Sequence, residues 1–314
     1  TMGVNTVLRS LSFQPGDELL ITDHEYNACY NAVEFVARRS GATVTVAKIP
    51  YPMEDPQQAV DAVLQKVTAK TRLLLIDHVT SQTALVLPVK KIIEALADHP
   101  AEILIDGAHA PGMLPLDIEA LRPTYYTGNC HKWICTPKGS GFLYVAPSHQ
   151  YKIHPLVISH GANMESDQLS RFRMEFDWTG TDDPTAFLST SEAIKELATL
   201  LPGGWDEVRS HNHNLVLKAR KHISETLDIP LPCPDEMIGS TATLPLDEYF
   251  SRRSSASPHL ASLQELLALQ YNIEVVVNAW SSRHLLRISA QLYNTFPQYE
   301  YLAHILRHIK STGS

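Results

Sequence analysis

From Glu18 to Val145 short runs of apolar residues alternate with stretches in which apolar positions recur every three or four residues. The runs read ELLIT (18–22), TVTVAKI (43–49), RLLLID (72–77), EILID (102–106), YYTG (125–128) and GFLYV (141–145). Between them the amphipathic spacing predicts a helix after the first run through Arg39, a second near 56–68 and a third near 88–98. Gly41 stands where a glycine would end the first of these in a left-handed conformation. Strands that are apolar nearly throughout and are separated by helices predict βαβ units and a mostly parallel sheet covered on both faces. The predicted fold class is α/β.

After Pro147 the pattern changes to a polar loop over roughly 159–183, a helix from about 185 to 200 and the turn Pro202-Gly203-Gly204. That turn divides a large domain, 1–202, from a smaller C-terminal α+β domain, 203–314. The smaller one is expected to hold a long helix (205–227), strands near 240–244, 273–277 and 285–289, and a final helix over 298–310. RRSSASP (252–258) reads as an exposed loop.

Composition narrows the class of partner. A 314-residue chain with 44% hydrophobic and 19% charged residues has enough apolar material for a substantial core. A net charge of −8 argues against a large phosphate-backbone footprint, so no nucleic-acid partner is expected. The four cysteines form no CxxC pair, no run reaches the length of a membrane span, and no basic segment followed by an apolar one opens the chain. A cytoplasmic protein with a small-molecule partner and no membrane contact is the expectation. His304 and His308 share a helix face, but neither an HExxH motif nor an acidic third ligand accompanies them, so no metal site is expected.

In an open parallel sheet ligands bind beyond the carboxyl ends of the strands. Four such ends carry polar clusters: DHEYN (23–27), DHVTSQ (77–82), DGAHAPG (106–112) and GNCHKW (128–133). Asp106 ends an apolar strand, where a carboxylate can hold a pyridine nitrogen protonated. Lys132 lies among Cys130, Trp133 and Ile134, a setting suited to an imine-forming amine. Gly139-Ser140-Gly141 lacks the GxGxxG spacing and precedes a strand, which weakens a dinucleotide reading.

The order Asp106-Gly-Ala-His-Ala-Pro-Gly112, then His131-Lys132, then Pro137-Lys138-Gly139-Ser140-Gly141 resembles the core of the class V aminotransferase superfamily. The wording is similar to the isopenicillin N epimerase-like branch, and the likeness runs on to Leu286-Arg287-Ile288-Ser289 and Tyr293-Asn294-Thr295. It implies a fold type I enzyme whose cofactor is pyridoxal 5′-phosphate (PLP). Lys132 would carry the cofactor as a Schiff base and Asp106 would pair with its ring nitrogen. His24 matches the residue that stacks on the ring, with Tyr26 as the alternative. His109 would lie on the phenolic-oxygen side, and Ser81 stands where desulfurases usually have Asn. Thr1 and Met2, with Gly3, look like the phosphate-binding turn at a helix N-terminus. Asn129 and His131 match further phosphate-holding positions. Thr181 resembles the threonine that reaches the phosphate of a neighbouring subunit, which implies a homodimer with shared active sites. Arg287 matches the arginine that grips the substrate α-carboxylate.

Family members carry several tens of residues before the phosphate turn, so the large domain is expected to be N-terminally incomplete here. Cysteine desulfurases place a nucleophilic Cys on a loop before the carboxylate arginine, whereas residues 278–286 contain none. The expected activity is that of an epimerase or a class V aminotransferase-type transferase on an amino acid or amino-acid-containing substrate. The alternative is a C–S lyase, a desulfurase-like enzyme without the persulfide-forming Cys. Two readings of another class are a nucleotide-dependent oxidoreductase and a catalytically silent relative.

Overall fold

The strands of the first half are built from Leu, Ile, Val and Tyr, which pack well on a pleated surface covered from both sides. In the computed structural model, which describes residues 1–246, 260–281 and 283–312, they form one six-stranded sheet. Its strands are β1 (Glu18–Thr22), β2 (Thr43–Ala47), β3 (Thr71–Asp77), β4 (Glu102–Gly107), β5 (Tyr125–Asn129) and β6 (Gly141–Val145), in the spatial order β2-β1-β3-β4-β5-β6. All neighbours are parallel except β6, which returns antiparallel beside β5. Leu19, Ile21, Leu73, Leu75 and Leu104 are buried together with residues of α1 (Met2–Ser10) and α2 (Asn27–Ser40). Gly41 ends α2 at φ 76°, its N–H on the Ala37 carbonyl.

The chain divides into two units. The first comprises Thr1–Ile49, Ala59–Val79 and Leu87–Glu196, and the second Pro50–Gln58, Thr80–Val86 and Leu197–Ser314. The division after Glu196 lies close to the glycine turn at 202–204. The two short excursions, 50–58 and 80–86, pack with the second unit through bonds such as Met53 N–H to the Pro232 carbonyl and Val86 N–H to the Met237 carbonyl.

Within the second unit a 24-residue helix (Gly204–Leu227) and a final helix (Phe296–Thr312) accompany a three-stranded antiparallel sheet. Its strands are β7 (Thr241–Pro245), β8 (Val276–Trp280) and β9 (Arg283–Ser289), in the order β7-β9-β8. The structure departs from the pattern-based reading: it adds a helix over Leu260–Tyr271 and begins β8 at Val276 instead of near 273. The polar stretch 159–183 contains a helix, Arg171–Asp177, started by the Ser170 side chain accepting the Arg173 N–H. The helix expected over 185–200 is broken at Ser189 into Thr185–Leu188 and Thr190–Thr199. The loop expected at 252–258 lies outside the described residues.

Candidate active site

β3 and β4 run parallel in register, so Asp77 at the end of one stands directly opposite Asp106 at the end of the other. Both are buried. The turn after β1 adds Glu25, also buried, and the first turn of α2 adds Cys29. One oxygen each of Glu25 and Asp106 and the Cys29 sulfur lie within 4.8 Å of one another. The Cys29 thiol donates to Asp106 Oδ2 at 3.1 Å, and the Ala108 N–H donates to Asp106 Oδ1 at 2.9 Å.

Three acids thus meet in a region almost without water. Burial, and then the neighbouring carboxyls, push the Glu25 and Asp77 groups well above the usual carboxylate range; Lys132 acts in the opposite sense on Asp77. Burial and the charge of Asp106 likewise raise the Cys29 thiol, which stays protonated and able to donate. Tyr126 on β5 stacks on Phe142 and shares a 2.9 Å hydrogen bond with His78 Nδ1, and burial lowers His78 to about 4.

Lys132 is half-buried on the loop that joins β5 to β6. The base of that loop is closed by Cys130 N–H on the Ser140 carbonyl at 3.1 Å, and His131 Nδ1 reaches the same carbonyl at 2.8 Å. Asn129, the last residue of β5, pairs across with Gly141. Thr1 and Met2 open α1, a nine-residue helix whose first turn carries no side-chain cap. A Cβ on Gly3 would lie 2.3 Å from Thr127 Oγ1, so only glycine lets this turn approach β5.

Asp106, Lys132, Asn129, His131, His109, Thr1 and Met2 all belong to the first unit, on the strand ends and the α1 turn. His24 does too, but its ring is fully buried, with Nε2 3.2 Å from the Ile49 carbonyl and a pKa lowered by burial. Tyr26, two residues on, is 43% exposed at the start of α2. Thr181 is exposed in the connection between two short helices. Ser81 and Arg287 belong to the second unit, where the Arg287 guanidinium donates to the Ser81 carbonyl and approaches its hydroxyl at 3.4 Å. Arg287 also borders a cleft lined by Asn272, Ser289, Tyr293 and Tyr299. Glu25, Cys29 and Asp77 did not emerge from the sequence as site residues. Their signal is position: Asp77 ends an apolar strand as Asp106 does, and Glu25 and Cys29 follow the end of β1.

The residue set fits a phosphorylated pyridine aldehyde. A helix start without a side-chain cap suits the phosphate, a half-buried lysine suits the aldehyde, and the buried carboxyl Asp106 suits a ring N–H. Comparison with known proteins agrees. The Aminotransferase class-V model matches residues 1–302, and the chain belongs to this family of PLP-dependent enzymes. It is 30% identical over 320 residues to isopenicillin N epimerase of Streptomyces clavuligerus, covering 98% of this chain and 77% of that protein. It is 25% identical over 291 residues to an L-cysteine desulfhydrase of Arabidopsis thaliana, covering 85% of this chain and 62% of the relative. The fold matches a cysteine desulfurase from Thermococcus onnurineus with a TM-score of 0.80 at 17% identity, over 99% of this chain and 77% of that one. It is the fold type I architecture. The family sets aside the oxidoreductase and silent-relative readings. Among the described residues no helix is long and apolar enough to cross a membrane.

Proposed function

We propose that this enzyme acts at the α-carbon of an amino acid or amino-acid-containing compound, as an epimerase resembling isopenicillin N epimerase. The observation that carries the reading is Lys132, half-buried on a pinned loop and within electrostatic reach of Asp77 at the end of β3. When bound, PLP supplies an aldehyde that joins amines and a protonated ring that draws electrons from bonds at the α-carbon.

The first turn of α1, with Thr1 and Met2, takes the phosphate on its backbone N–H groups, helped by Asn129 and His131. Asp106 accepts the ring N–H, and His109 lies on the phenolic-oxygen side. Of the two candidates for stacking, Tyr26 has an exposed ring, whereas His24 is committed to the Ile49 carbonyl. Lys132 would hold the cofactor at rest; once released by the substrate amine, its Nζ takes the proton from one face of the α-carbon, and inversion is completed by a proton delivered from a second acid on the opposite face. Arg287 binds the substrate carboxylate, and Ser81 holds its guanidinium in place within the second unit.

C–S bond cleavage on a cysteine-type substrate is the second reading, favoured by the likeness to the Arabidopsis desulfhydrase. Persulfide chemistry is not part of it. Residues 278–286, where desulfurases carry the nucleophile, contain no Cys. A homodimer is also proposed. Val157, Ile158, Trp178, Phe187 and Leu188 are exposed within one 32-residue stretch that includes Thr181, as expected of a surface covered by a second copy.

Purified protein should show a visible band that borohydride abolishes, with the added mass on the peptide containing Lys132. Assays of D/L interconversion and of thiol or sulfide release then separate the two reactions. Racemisation of an α-amino substrate without sulfur release supports the epimerase, and sulfide or thiol release without racemisation replaces it with the lyase.

A further inference from the structure

Glu25 is buried beside Asp106, yet its bonding differs. Both oxygens of Asp106 accept from donors, Cys29 and Ala108. Glu25 Oε1 accepts the Tyr26 N–H at 3.2 Å, while Oε2 has no hydrogen-bond partner among the described residues. The groups that face it are Asp106 from β4, Cys29 from α2 and Asp77 from β3. Lys132 acts on Asp77, beyond it. Two carboxylates within 4.8 Å of each other in a dry interior do not both ionise.

We propose that Glu25 carries a proton on Oε2 at neutral pH and serves as a positioning residue for Asp106, so that the clustered acids offer the cofactor ring nitrogen a single negative charge, on Asp106. The proposal rests on the reading that Asp106 faces that nitrogen. One anion matches one ring N–H, whereas a second would demand another cation. An oxygen that no donor reaches is the natural seat of a proton, because as an anion it would be left without compensation in the interior. Burial, which dominates, and the charge of Asp106 both push Glu25 in this direction. The Cys29 thiol, donating weakly to Oδ2, holds the Asp106 carboxyl without neutralising it.

The test is infrared spectroscopy of the protein at neutral pH with glutamate carboxyls labelled with carbon-13. A protonated C=O band that shifts with the label, persists when PLP is bound and is absent from Glu25→Gln is the expected result. Labelling identifies a glutamate band in the wild type even if that variant does not fold. A second readout uses the cofactor-free protein. A carboxyl whose folded pKa is raised loses stability as pH climbs from the ordinary Glu value towards the folded one, and Gln has no such loss. The thermal midpoint of Glu25→Gln should therefore gain on wild type across that window and hold its lead above it. Absence of the labelled band, its loss on PLP binding, or a flat midpoint difference would overturn the proposal. Failure to take up PLP at all would instead overturn the function proposed above.

Discussion

Arg220 in the second unit and Asp77 in the first are both almost wholly removed from water, and the chain treats them differently. The Arg220 guanidinium donates from Nη1 to Asp235 Oδ1 at 3.1 Å and from Nη2 to the Cys233 carbonyl, with only Nε left without a partner among the described residues, and nearby hydroxyls are paired: Tyr51 with Thr243, and Thr243 with the Thr83 carbonyl. Asp77 leaves Oδ2 without a hydrogen-bond partner among the described residues and has two further acids beside it. Buried charge that is compensated locally holds a unit together. A buried acid left without a partner for one of its oxygens is a cost to folding that a ligand can relieve, and it marks where chemistry happens.

The contrast breaks first at Lys132. Lys132→Ala should lower turnover at least about a thousandfold, because the proton carrier is gone, while a noncovalent cofactor band remains. Steady-state assays and the visible spectrum check this; full activity would remove Lys132 from the chemistry. Asp106→Asn comes next: an uncharged partner at the ring nitrogen should cost about a hundredfold to a thousandfold in kcat, with the cofactor still attached. Wild-type kinetics there would make Asp106 structural.

In the second unit the effects should be smaller. Arg287→Lys replaces a planar two-pronged donor by a point charge, so KM for amino-acid substrates should rise about tenfold to a hundredfold with the cofactor spectrum unchanged. Loss of the spectrum would mean that Arg287 is structural. Asp235→Ala removes one partner of Arg220, but that carboxylate is 68% exposed and the Cys233 carbonyl remains. A loss of about 1 kcal/mol in a denaturant titration, with activity unaltered, is the expected outcome. A loss several times larger would show that the ion pair, not the carbonyl, carries Arg220.

Much of this was legible from the pattern of the chain. Long apolar runs such as RLLLID are read the same way by propensity and by burial, and the polar residues that follow them mark the ligand-binding edge. Other parts depend on partners remote in sequence. Glu25 and Cys29 acquire meaning only beside Asp106, some eighty residues on, and Asp77 only through the β3–β4 register. Residues 50–58 and 80–86 are too short to display their allegiance to the second unit. The helix Arg171–Asp177 is hidden because seven residues give barely two turns of periodicity. β8 was expected three residues early, because Ile273 and Val275 continue its apolar alternation outside the ladder.

The hairpin loop that carries Lys132 also bears on how such a site can change over generations. Its two ends are fixed by the Asn129–Gly141 pairing and the Ser140 carbonyl, whereas Pro137, Lys138 and Gly139 at its tip are exposed, and nothing lies within 4 Å of where a Gly139 side chain would begin. Insertions at the tip therefore leave the lysine where it is. A single deletion between the tip and β6 would slip the antiparallel register by one position and turn every side chain of that strand to the opposite face. Length variation in descendants of this chain should accumulate at 137–139 and stop short of 140.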